Sequence, residues 1–198
     1  MACSSRFARS WATTVRLSGD VEVDESAFGG KPRARTLREW DAERYAKNRR
    51  SAAARWAAEN KTTVFAMVER GGRVRTMVVP NRSQPVLHSA IRSHVLSDSM
   101  IFSDEWALYE GISKGYRGHR RIKHKARIYV EGDVHTNTVE GFFGLVKTGI
   151  RGVYHAVSVR YLPDYLNEYA FRYNRRKDER PMFWAILDRV QKGLLPVP

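Results

Sequence analysis

Cysteine is nearly missing from this chain, where Cys3 stands alone among 198 residues. A single thiol excludes an internal disulfide and any cysteine-rich zinc ribbon within these residues, and it fits a reducing cytosol. Long hydrophobic runs are also missing. No stretch approaches the ~18 apolar residues of a membrane span. Residues 1–18 lack the apolar core of a secretory signal. They carry Arg and Ser without acids, and read as a frayed or remnant start in preference to a transit peptide. Internal repeats and low-complexity tracts are absent. Acids are the last shortage: 21 Asp and Glu face 35 Lys and Arg, for a formal net charge of +14. Such a surplus is the footprint of a polyanion or an anionic membrane. No amphipathic Lys/Trp helix marks a membrane surface, so nucleic acid is the expected partner and no membrane contact is expected.

The length suits one compact domain. Gly19 to Phe28 alternates Val21 and Val23 with acids, as a strand with one buried face does, and Gly29-Gly30 ends it. Residues 31–61 carry many cations and an Ala-rich piece without clean periodicity, which reads as a mobile, partly helical insertion. Thr62–Glu69 and Arg73–Val79 are β-rich runs joined by Arg70-Gly71-Gly72, a hairpin signal, and with the first strand they make a three-stranded antiparallel core. Ser83 to Val95 has helical spacing behind a Ser cap and Pro85. Met100-Ile-Phe102 is a short apolar strand ending at Ser103-Asp104. Lys114 to Arg127 holds seven Lys or Arg, two His and no acid; a loop that tracks a DNA backbone by neutralising phosphates competes with a merely solvated one. Ile128-Tyr-Val130 reads as another short strand. Thr136 or Asn137 then caps a helix of about 15 residues, followed by helices near 158–175 and 181–194.

In the helix after Asn137, Val139, Phe142, Phe143, Val146 and Ile150 form one apolar stripe. Glu140 and Lys147, seven residues apart, differ by about 20° around the helix and share the flank of that stripe. Taken alone they are equally well read as solvated charges. Asp24 sits mid-strand, where Asp is depleted, and Asp104 directly follows an apolar strand. Carboxylates there are costly unless paired or metal-bound. The plainer alternatives are a solvent-facing Asp24 beside Glu22 and an Asp104 that caps Glu105–Tyr109. Three carboxylates suit Mg²⁺, and two such ions ~3.5–4 Å apart activate a water or 3′-hydroxyl and stabilise the leaving oxygen. His88, His94 and His155 have no metal-ligand spacing, and Trp106, Tyr109, Tyr169, Phe171 and Tyr173 read as packing aromatics.

The motifs Val23-Asp-Glu-Ser-Ala-Phe-Gly-Gly-Lys31, Ser103-Asp-Glu-Trp106, His135 through Lys147, Arg151-Gly-Val-Tyr-His155 and Asn167 through Arg176 resemble a bacterial insertion-sequence DDE transposase of the group related to Merlin-type DNA transposons. The resemblance spans residues 20–176. It implies an RNase H-like α/β fold over 19–198, a mixed sheet with an antiparallel three-stranded N-terminal part flanked by helices. It further implies a triad of Asp24, Asp104 and Glu140 that holds two Mg²⁺ (or Mn²⁺) ions, cuts transposon ends and joins them to target DNA. The 35 residues between Asp104 and Glu140 match the family spacing, and Lys147 matches its phosphate-holding cation. Arg151, Lys114, Arg117, Arg120, Arg121 and Lys123 are the other expected DNA contacts, and Asn137 and His135 are further polar candidates. A homo-oligomer on DNA and a cytoplasmic, nucleoid-associated location follow from the same resemblance. Relatives carry an N-terminal zinc ribbon and helix-turn-helix for which this chain has neither the cysteines nor the room, so it reads as the catalytic domain of a shortened copy. A non-catalytic DNA-binding remnant and a stand-alone RNase H-like nuclease are the competing functions.

Overall fold

The strand β1, Asp20–Phe28, sends alternate side chains to opposite faces of a sheet. Val21 and Val23 enter one core cluster with Phe65, Met67, Leu87, Ile91 and Ile101. Phe28 enters a second with Val64, Ala66, Val68, Val139, Phe142 and Leu166. Glu22 and Asp24 share the parity of Phe28 and face that second cluster. The expectation of one buried face is therefore corrected: helices cover both, which is why β2, Thr62–Glu69, is buried almost end to end.

The computed structural model describes residues 15–29, 61–104, 107–122 and 135–191. The insertion at 31–61, apart from Lys61, the strand expected at 128–130, Trp106 and Lys123 lie outside the described residues. β3 is Val74–Val79, and the hairpin to it turns at Gly71, whose φ of +70° suits a residue without Cβ. α1 is Gln84–His94, β4 is Met100–Asp104 and β5 is Gly118–Ile122. α2, Asn137–Gly149, runs into a π-helical turn at Ile150–Tyr154. α3, Leu162–Asn174, and α4, Met182–Gln191, close the described chain.

The sheet order is β3-β2-β1-β4-β5. β1 pairs antiparallel with β2, β2 antiparallel with β3, and β4 and β5 extend the sheet in parallel. This is the mixed α/β sheet that the RNase H-like expectation requires. α1 packs on the first cluster, and α2 and α3 on the second. Gly149 lets those two helices meet: a Cβ there would stand 1.6 Å from the Tyr169 hydroxyl. By contrast, nothing among the described residues outside the backbone of α2 itself lies within 4 Å of a Cβ built at Gly141 or Gly144.

Two sequence expectations change. Lys114–Arg127 is not simply a loop, because Gly118–Ile122 forms β5, the outermost strand among the described residues; a strand made of Gly, His, Arg and one Ile has no apolar alternation to announce it. The ordered domain also reaches back past Gly19. Leu17 is buried at 1% exposure, its N–H donates to the His94 carbonyl at 2.7 Å, and its carbonyl accepts from Leu96 N–H at 2.8 Å. No helix among the described residues is long and apolar enough to cross a membrane.

Candidate active site

Strand parity decides which acids meet. Asp104 pairs in register with Ile122, two residues beyond Phe102, and Phe102 lies beside Glu22, so Asp24 and Asp104 project from adjacent strands toward α2. Glu140 lies in the first turn of α2. The Asp24 carboxyl is pushed up to about 7, first by burial and then by the charge of Glu25, with smaller raises from Asp104 and Glu140, against a lowering bond from the Glu25 N–H. That bond measures 2.8 Å to Asp24 Oδ1. Glu25, on the opposite face, is also raised, mainly by burial, and accepts a hydrogen bond from the buried Tyr109 hydroxyl.

The oxygen donors suit a hard cation, although among the described residues no three His, Cys, Asp or Glu side chains form a ready-made chelating group. Glu140 is exposed, and its Oε1 accepts from Thr136 Oγ1 at 2.9 Å.

Glu22, which in the sequence is only a neighbour of Asp24, is the fully buried acid of the site, at 0% exposure. Its Oε2 accepts from the backbone N–H of Thr138 at 2.8 Å and of Val139 at 3.0 Å. Its Oε1 accepts from Thr138 Oγ1 at 2.9 Å and from Arg70 Nε at 2.9 Å. The strand residue thus does the work of an N-cap for α2, satisfying the amides of its second and third residues and complementing the positive end of the helix dipole. This corrects the expected cap: Thr136 occupies the cap position without a capping hydrogen bond, and Asn137 is the first helical residue. Arg70 completes the clamp. Its guanidinium stacks 3.9 Å over the Phe102 ring and donates to the His135 carbonyl at 2.8 Å. His135 Nδ1 lies 3.1 Å from Glu22 Oε1, close but not aligned as a hydrogen bond. β1, β2, β4 and α2 are therefore locked together two residues from Asp24 and two from Glu140.

A family model described as the ISXO2-like transposase domain matches residues 16–174. The chain belongs to this transposase family. It is 26% identical over 123 residues to an uncharacterized transposase-like protein of Haemophilus influenzae, covering 62% of this chain and 97% of that one. Among solved structures, the catalytic core domain of BIV integrase is similar with a TM-score of 0.47 at 12% identity, over 89% of this chain and 99% of that one.

In this transposase domain the expected DNA contacts are dispersed. Lys147 is half-buried on α2, its Nζ 5.8 Å from the Phe28 ring centre and 5.9 Å from that of Phe143. Arg151 is exposed in the π-helical turn. Arg120 pairs with Phe102 and so shares the face of Asp104. Arg121 has the opposite parity and lies 3.6 Å from Glu110. Arg117 donates to Asp20 Oδ1 at 3.0 Å, and Lys114 is exposed in the short helical turn Ile112–Gly115. Tyr109, Tyr169 and Phe171 are buried, as packing aromatics should be. The Phe142 and Tyr173 rings meet edge-on at 5.3 Å. His88 binds the Leu108 carbonyl at 3.1 Å, a structural role.

Proposed function

We propose that this domain is a DDE transposase, cleaving DNA at insertion-sequence ends and transferring the strand with Asp24, Asp104 and Glu140 as metal-holding catalytic residues. The observation that carries the proposal is the half-buried Asp24 on the same face of adjacent strands as Asp104, its carboxyl pushed up to about 7 with Asp104 and Glu140 among the charges that act on it. Such mutually repelling, partly desolvated acids on one face are what a divalent cation relieves. Asp24, Asp104 and Glu140 would hold two Mg²⁺ or Mn²⁺ ions, whose chemistry when bound would be activation of a water or 3′-hydroxyl and stabilisation of the leaving oxygen. Asp24 and Asp104 on adjacent strands would hold the metal, with Glu140 as the third carboxylate from the first turn of α2. DNA is the substrate, and two or more copies of the chain act together on it.

Protons and cations compete for Asp24. Below about pH 7 the carboxyl holds its proton, and a metal ligand must be deprotonated. Mg²⁺ affinity, read by calorimetry without DNA, should weaken as pH falls below 7, by up to about tenfold per pH unit. Affinity independent of pH between about 5 and 8 would remove Asp24 from the ligand set.

Lys147 holds a phosphate as a point charge. Lys147→Ala should weaken DNA binding and reduce the salt slope by about one unit, leaving Mg²⁺ affinity as it was. An unchanged slope with unchanged strand transfer would make Lys147 a surface cation and shift the phosphate contacts to the basic segment Lys114–Arg127.

A further inference from the structure

Beyond Asp24, β1 leads into a cavity of about 550 Å³ lined by the end of β1, the last turns of α2 and the start of α3. That volume lies within the ~300–1,000 Å³ usual for small-ligand sites. Its floor includes the buried Phe28 and Leu162, and its rim carries Lys61, Lys147, Arg151 and His155. No carboxylate is among its described lining residues. A strip of surface cations is enough to follow a duplex backbone, whereas a half-open hollow with an apolar floor and a rim of cations matches a ligand with one anionic part and one flat, weakly polar part.

The backbone at the rim is unusual as well. Ile150–Tyr154 is a π-helical turn, and it ends at His155, which has φ 58° and ψ −42°. A non-glycine residue in such a conformation persists only where its surroundings over-determine it, and π turns recur at functional sites. Here the surroundings include Tyr154, packed edge-on to Tyr165 at 4.5 Å. Phe28 lies four residues beyond Asp24 on the same face of β1, about 13 Å along the strand.

We propose that this cavity receives one unpaired nucleotide of the bound DNA, its phosphate on Lys61, Lys147 and Arg151 and its base over the Phe28 floor. The inference rests on the reading of the domain as DNA-binding, and it adds that the DNA is held with a nucleotide drawn out of the duplex near the site of cleavage.

The test compares a blunt duplex with the same duplex carrying one unpaired 2-aminopurine nucleotide at its 5′ or 3′ end, by anisotropy and 2-aminopurine emission. The protein should prefer one of the unpaired forms by roughly tenfold, with a change in emission. Ala156→Trp fills the cavity from an exposed lining position; it should abolish the preference and the emission change while blunt-duplex affinity stays. Lys61→Ala should weaken binding of the unpaired form alone. Equal binding of all forms, or a preference that survives Ala156→Trp in a folded protein, would overturn the cavity assignment with DNA binding intact. Failure to bind any duplex would overturn the DNA reading, and the inference with it.

Discussion

Asp104→Asn should lower Mg²⁺-dependent DNA cleavage and strand transfer by at least about a thousandfold while the fold is retained. Metal-ion stabilisation of a phosphoryl-transfer transition state is worth several kcal/mol, and about 4 kcal/mol corresponds to roughly that factor. DNA binding should survive or tighten, because a negative charge leaves the DNA-facing side. Asp24→Asn should be equally inactive and show a second effect. Its carboxyl is raised from 3.8 to about 7 in the folded protein, so the native state binds the proton more tightly than the unfolded chain. Stability without metal is therefore present below the unfolded value and lost as pH rises toward 7. Removing the charge should recover on the order of 3 kcal/mol at pH 8, seen as a higher denaturation midpoint without metal. Nicking by Asp104→Asn at the unmutated rate would refute the mechanism. An inert unmutated chain on pre-cleaved ends would instead favour a DNA-binding remnant.

Glu22→Ala should destabilise the domain by about 3–5 kcal/mol, the cost of leaving one partner of a buried ion pair uncompensated. The Arg70 guanidinium loses its carboxylate, and the Thr138 and Val139 amides lose their acceptor. Glu22→Gln tests position apart from size. Its single carbonyl oxygen cannot accept all four donors, so hydrogen exchange at Thr138 and Val139 should accelerate and cleavage should fall even where the domain remains folded. Unchanged exchange at those amides would show that α2 is positioned by its apolar stripe alone. Glu22 is a positioning residue for Glu140, acting through the helix.

The strands and helices were legible wherever apolar residues kept a period. Val139, Phe142, Phe143 and Val146 announced α2 and its buried face, and Arg70-Gly71-Gly72 announced the hairpin, because burial and turn geometry constrain those residue types locally. β5 was not legible, since it takes its order from β4 and carries Arg and His. Asp24 and Asp104 stood out as acids in unfavourable positions, and strand parity turns both to one face; Glu140, an ordinary helix-flank charge by its spacing alone, was singled out by the family resemblance. Glu22 stayed hidden. Its partners lie 48 to 117 positions away in the chain, and an acid beside Asp24 in an alternating strand reads as solvent-facing until α2 is placed over it.

The most direct measurement is the anomalous scattering of manganese in crystals of the protein equilibrated with Mn²⁺ above pH 7, where Asp24 is ionised. The expected result is manganese between Asp24 and Asp104, with the Glu140 carboxylate released from Thr136 and turned onto the metal. Manganese elsewhere on the molecule, or Glu140 still bonded to Thr136 beside a metal-free Asp24, would contradict the three-carboxylate site.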